Sequence, residues 1–215
     1  MIWTIRFWLS RFALLGRVVL CLVGFAVLAL AQTPFSSSPL RPRSNEWAVT
    51  TGGGARIAGS TREDRFWTMQ LRWGRVLTAP RGPGLLHGSL EYAFEVVPAF
   101  VMAQSGPVES RTIFGGGFNP FLLQYNFGRG DRPERGFVPF FQVGAGALFT
   151  TDPIPAGTAR FNFTPQGGAG FYWLRGDAPS FVLGLRWHHI SNAGRVTPNP
   201  GHNALYLYAG LSWWR

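Results

Sequence analysis

From Trp47 onward the chain places apolar residues on alternate positions, segment after segment, and shows no sustained helical period. Trp67, Met69, Leu71 and Trp73 alternate with Thr68, Gln70 and Arg72. Leu86, Leu90, Tyr92, Phe94 and Val96 alternate with His87, Ser89, Glu91 and Glu95, and Phe121, Leu123, Tyr125 and Phe127 with Gln124, Asn126 and Gly128. Phe137, Phe141, Val143, Ala145 and Phe149 face away from Gln142, Gly144 and Gly146. Phe161, Phe163, Phe171 and Trp173 form a sixth series, Phe181, Leu183, Leu185 and Trp187 a seventh, and Leu205, Leu207, Leu211 and Trp213 a last. Successive side chains on a strand point to opposite faces, so each series predicts a strand with one apolar face. A weaker segment around Trp47 to Ile57 brings the count to eight.

Two architectures share this alternation. A soluble sandwich or lipocalin turns the apolar face inward. A membrane barrel turns it out to lipid and keeps polar groups and glycines inside. The apolar faces here are heavy in Phe and Trp near strand ends, as interfacial girdles are. The opposite faces carry Arg72, Glu91, Glu95 and Arg186, which could pair across a narrow lumen. The strand number is even, and the chain ends on an aromatic strand. The expectation is an all-β, eight-stranded antiparallel outer-membrane barrel.

Composition supports that picture. Of 215 residues, 15% are aromatic, 28 are glycine and only 14% are charged, against roughly 25% charged in soluble domains. These numbers exclude a disordered tail and a coiled coil. All 20 basic residues are arginine, and the formal charge is +10. The arginines are scattered, with no basic run and no zinc spacing, so no nucleic-acid partner is expected.

Arg6, Arg11 and Arg17 precede an apolar run, Val18 to Leu30, that ends in Ala29-Leu30-Ala31. A charged start, a short apolar stretch and a small-residue site describe a secretory signal peptide over 1–31. A membrane anchor is the competing reading, but the run is short of the ~20 residues a spanning helix needs. Residues 32–45 are rich in Pro and Ser and read as a mobile leader, with the barrel over 46–215. Cleavage after Ala31 removes Cys21, the single cysteine, so stability must come from burial and backbone pairing rather than disulfides.

With both termini in the periplasm, the seventh strand ends at the cell exterior and the loop from Ser191 to His202 is extracellular. His189 and Ser191 lie two apart there, about 6.6 Å at Cα and on one side. That spacing allows the imidazole to act as general base for the hydroxyl. Both continue the Phe181–Trp187 series and so face lipid, where an ionisable group marks a functional candidate. A polar strand end meeting headgroups explains the same spacing. His188 points inward, with a structural role beside Glu91 or Glu95 expected, and His87 and His202 are likewise read as structural.

The run HHISNAG, followed by TPNPGHN and a final aromatic strand, resembles the lipid A 3-O-deacylases, the PagL-type acyloxyacyl hydrolases. The likeness is sharp over Trp187 to Trp214 and elsewhere is only the strand pattern. It implies an outer-membrane enzyme that hydrolyses the ester-linked acyl chain at the 3-position of lipid A. By position it makes His189 the general base and Ser191 the nucleophile, with Asn192 and Asn199 helping to hold the oxyanion. In the mechanism expected here, donors from Asn192, Asn199 or a loop amide near Gly194 stabilise the oxyanion. The best-known members carry a glutamate where this chain has Asn203, which would then be the third triad member. Asparagine can still accept from the far imidazole nitrogen but cannot stabilise an imidazolium by charge; Glu109 or Asp152 could substitute.

The expected partner is lipid A in lipopolysaccharide, in the outer leaflet of a Gram-negative-type outer membrane. Arg111 and Arg195 near the outer rim could contact its phosphates. No cofactor is expected: there is no mature cysteine, no H-E-x-x-H and no acidic cluster beside the histidines. Two other readings remain, a non-enzymatic barrel with a structural or adhesion role and an enzyme that passes the acyl group to another lipid.

Overall fold

The computed structural model describes residues 39–57, 64–104, 110–128, 135–176 and 178–215. The expected signal peptide falls outside these residues, as does Glu109. The described part of the leader meets the barrel: Leu40 is buried, and the Arg43 N–H donates to the Val76 carbonyl at 2.8 Å.

The strands are β1 (Asn45–Arg56), β2 (Arg65–Val76), β3 (Gly88–Gln104), β4 (Arg111–Phe127), β5 (Arg135–Thr150), β6 (Phe161–Phe163), β7 (Gln166–Arg175), β8 (Ser180–Ile190) and β9 (His202–Trp214). All pairings are antiparallel. Pairing of β1 with β9 and of β4 with β5 closes the sheet on itself. The three-residue β6 does not add a ninth stave. It pairs with β5 in the register that β7 continues, Ala147 facing Phe163 and Gly144 facing Gln166. One expected strand is therefore interrupted at Thr164-Pro165, where proline has no N–H to give the ladder. The barrel is eight-stranded, as the alternation predicts.

Two boundaries differ from the sequence pattern. Leu86, expected on the third strand, closes a single 3-10 turn over Gly84–Leu86 before β3 begins. Strand β4 starts ten residues earlier than the apolar series, at Arg111, and runs through Gly115–Gly117 and a register shift at Asn119-Pro120. Those glycines lack the side chains that would have shown the period.

Parity sets inside and outside. Thr68, Gln70, Arg72, Glu91, Glu95, Gln124, Gln142 and Arg186 are all buried, while Trp67, Phe121, Leu123, Phe137, Phe141, Phe181 and Leu185 are exposed. Polar groups fill the lumen and apolar side chains face out, the inverse of a soluble barrel. Arg72 donates to Glu46 at 2.7 Å and to Glu91 at 2.8 Å, and Arg186 donates to Glu95 at 2.9 Å. Gln142 Oε1 accepts from both arginines at 3.3 Å, joining the two groups into one network. Inward apolar residues close both ends: Phe66, Met102, Ile113, Leu148 and Ile190 at one, Val76, Val138, Leu174 and Val182 at the other. The interior is a packed core rather than a pore.

Removing one partner of a buried ion pair leaves the other charge uncompensated, at about 3–5 kcal/mol. Arg186→Leu is expected to destabilise the barrel by that order, read as a lower urea midpoint in detergent micelles. The double variant Arg186→Leu/Glu95→Leu should recover most of the loss.

Candidate active site

The barrel end opposite the start of β1 and the end of β9 carries the loop from Ser191 to Gly201, between β8 and β9. Outward parity on β8 runs Phe181, Leu183, Leu185, Trp187, His189 and then Ser191, all at least partly exposed, while Val182, Arg186 and Ile190 are buried. Register places His189 directly opposite Asn203 on β9. Their side chains meet, with His189 Nδ1 2.7 Å from Asn203 Oδ1. A carboxamide oxygen only accepts, so Nδ1 carries the proton in this contact, and Nε2 makes no hydrogen bond among the described residues.

Three further contacts fix the imidazole and the serine. The Trp187 ring stacks on His189, centroids 6.0 Å apart and planes 21° apart. Gly201, at φ +66°, lies against the other ring's edge: a Cβ there would sit 2.7 Å from His189 Cε1 and 3.3 Å from Nε2. Ser191 is held by its backbone, which exchanges two hydrogen bonds with Phe163 of β6, 2.7 Å and 3.1 Å. The structure thus brings His189 to Asn203, with Ser191 next along the same outward face; among the described residues there is no hydrogen bond between His189 and the Ser191 hydroxyl.

The loop beyond Ser191 is built by Asn192, which is buried. Its Nδ2 donates to the Val196 carbonyl at 3.1 Å, and its Oδ1 accepts from the Val196 N–H at 3.3 Å. Its own N–H donates to Asn199 Oδ1 at 3.3 Å. Ala193 and Gly194 both have positive φ, 56° and 77°, and the Arg195 N–H returns to the Asn192 carbonyl at 3.2 Å. That is a type I′ turn, with alanine where glycine or asparagine is the easy choice. A non-glycine residue there costs of order 1 kcal/mol, strain that tends to gather at functional loops. Both Asn192 side-chain atoms are committed to the loop, whereas the Asn199 Nδ2 and the Gly194 amide make no hydrogen bond among the described residues.

Below the His189–Asn203 pair, along the same outer face, the facing pairs are Trp187 with Leu205 and Leu185 with Leu207. These apolar side chains form a track from the barrel wall to the polar site. His188 faces inward and packs on Phe66 and Tyr206, while Glu95 is taken by Arg186 and Asn119, and Glu91 by Arg72 and Asn126. His202 is buried with Nδ1 3.5 Å from the Asp64 carboxylate, and His87 Nδ1 lies 3.1 Å from the Gly82 carbonyl. Asp152 accepts from the Thr151 hydroxyl and Arg111 donates to Gln104. Sequence reasoning missed Gly201, Trp187 and Phe163, which bear no reactive group; the one signal was Trp187, two residues before His189 on the same face. Among the described residues no group of three acidic, Cys or His side chains is placed to hold a metal.

Comparison with known proteins gives this site its context. The crystal structure of the outer membrane enzyme PagL superposes with a TM-score of 0.53 at 19% identity, over 77% of this chain and 97% of that one. OprG of Pseudomonas aeruginosa, an outer membrane protein, gives 0.50 at 9% identity over 81% and 97%. Neisserial surface protein A gives 0.50 at 11% identity over 79% and 96%. At these identities the likeness establishes the outer-membrane barrel fold, which an enzyme shares with proteins known by other descriptions. No curated protein matches the chain. Residues 50–212 match the family described as Lipid A 3-O-deacylase (PagL), and over that span, which takes in the whole His189–Asn203 site, the chain belongs to this family.

Proposed function

We propose that the protein is an outer-membrane esterase that removes the ester-linked 3-position acyl chain of lipid A through an acyl-serine. The observation that carries this reading is the 2.7 Å His189–Asn203 contact beside Ser191 on the outward face of the barrel. A base held there, at the head of an apolar track, meets an ester whose acyl chain lies in the membrane.

In the proposed reaction His189 Nε2 takes the Ser191 proton as Oγ attacks the ester carbonyl. The tetrahedral intermediate collapses, and the sugar hydroxyl leaves with the proton from His189. Water, deprotonated by the same nitrogen, then attacks the acyl-serine and releases the fatty acid and the free serine. The Gly194 amide and Asn199 Nδ2 are the donors for the oxyanion, each worth about 3–4 kcal/mol in such sites. Asn192 serves by shaping the loop that presents them. Asn203 fixes the tautomer and ring orientation of His189 without lending negative charge. The extracellular-side position and export by a signal peptide belong to the same proposal.

Mass spectrometry of lipid A from cells expressing the wild type and Ser191→Ala tests it. Loss of one hydroxyacyl chain with the wild type only is the expected result. Unchanged lipid A in both, with the barrel confirmed in the outer membrane, would favour a structural or adhesion role. Acyl chain recovered on a second lipid rather than as free fatty acid would redirect the proposal to acyl transfer.

Two substitutions probe how His189 is held. Asn203→Ala removes one neutral hydrogen bond, of the order of 1 kcal/mol, and should lower turnover about tenfold. Asn203→Glu supplies the missing charge and should raise it; equal turnover in all three forms would remove residue 203 from the machinery. Gly201→Ala puts a methyl where the imidazole lies and strains a positive φ. It should cut turnover about a hundredfold while the folded barrel still shifts normally on unheated gels; wild-type activity in Gly201→Ala would show that the ring does not need this gap.

A further inference from the structure

An open cleft of about 540 Å³ lies beside the serine, lined by Ala159, Arg160, Phe161, Asn192, Arg195 and Val196. Both of its ionisable residues are arginines, and both are exposed. Among the described residues neither makes an ion pair with a carboxylate, so two positive charges face one space unneutralised. The Arg195 guanidinium lies 5.5 Å from the centroid of the Phe161 ring, a contact that orients the group and leaves its charge available.

The cleft and the nucleophile share one support. Phe163, at one end of β6, exchanges two backbone hydrogen bonds with Ser191; Phe161, at the other end, forms the cleft wall. The two positions are about 6.6 Å apart along the strand. The backbone at Arg160 is tied as well, its carbonyl accepting from the Thr150 N–H at 2.9 Å and the Thr150 hydroxyl at 3.1 Å. On the opposite wall, the doubly bonded Asn192 and the turn it closes place Arg195 and Val196. A ligand held in the cleft is therefore held at a fixed offset from Ser191.

We infer that this cleft is a subsite for a phosphate group on the sugar headgroup of the lipid substrate, bound by Arg160 and Arg195. Guanidinium forks match phosphate oxygens two at a time. The phosphate would hold the headgroup at the cleft while the acyl chain runs down the Trp187–Leu205 track, and the ester between them falls at Ser191. Arg111, the other rim arginine singled out by sequence, does not line the cleft and donates to Gln104. This inference rests on the reading of Ser191 as the residue that attacks a phosphorylated glycolipid.

The test separates binding from turnover. Ser191→Ala, full length in phosphatidylcholine nanodiscs, is titrated with fluorescent lipid A carrying both phosphates and with the same lipid A enzymatically dephosphorylated. Binding of the phosphorylated form about tenfold more tightly is expected, with the preference abolished in Ser191→Ala/Arg160→Gln/Arg195→Gln and partly restored by lysine at both positions. Equal affinity for the two lipids, or a preference that survives the arginine replacements, would overturn the subsite. Fatty-acid release by the wild type is measured alongside. If the wild type releases none while the phosphate preference follows the arginines, the esterase reading fails and the binding site stands.

Discussion

The ion-paired network across the lumen is what the rest of this structure depends on. A narrow barrel with Arg72, Arg186, Glu46, Glu91 and Glu95 inside is stable only if those groups satisfy one another, because isolated buried charges are prohibitively costly. They do so directly and through Gln142, whose Nε2 also donates to the Tyr208 hydroxyl at 2.5 Å. The Arg186 guanidinium further lies over the Tyr208 ring, 4.8 Å from its centroid. Among the described residues, interior cavities of about 20 and 10 Å³ remain, each room for a water molecule or so. A lumen filled in this way admits no substrate. Any chemistry on a lipid has to be placed on the outer wall or at the rim, and that is where His189 and Ser191 are.

The same constraint explains how much the sequence revealed. Because the side-chain period of a strand is two, a polar lumen and an apolar exterior can be read residue by residue, and this carries through to His189 and Ser191 facing outward. Eight staves were legible for the same reason. What could not be read is whatever the period does not encode. Gly115–Gly117 extend β4 without a pattern, and Pro165 cuts one strand into β6 and β7 without shifting its register. The facing of His189 and Asn203 depends on the register of β8 against β9. A connection from Ser191 to Gly201 does not fix that register, so only the resemblance suggested the pair. Gly201 was invisible because its contribution is the absence of a side chain.

Interruption of the strand at Pro165 is itself informative. Proline costs the ladder a donor, but its carbonyl still accepts the His189 N–H at 3.0 Å, so the backbone of His189 is held across the break. Beyond it, β6 continues past the body of the barrel and pairs with Ser191 on one side and β5 on the other. Ser191 thus sits at the end of a laddered strand rather than on a free loop, which is where a side chain can be held to a fraction of an ångström. The strained Ala193 begins only after that last pairing.

Asparagine at position 203 is compatible with the site's surroundings. It stands on an outward face with Leu205 and Leu207 as its neighbours on the same strand, where a carboxylate would lose hydration whenever an acyl chain lies alongside. A neutral carboxamide orients His189 at 2.7 Å without that penalty, at the expense of charge stabilisation when the ring becomes imidazolium. In its proposed role as base, His189 so held depends more on the fixed geometry around it, which places weight on the Trp187 stack and on the gap at Gly201. For the proposed base, positioning then carries what a third charge would otherwise supply.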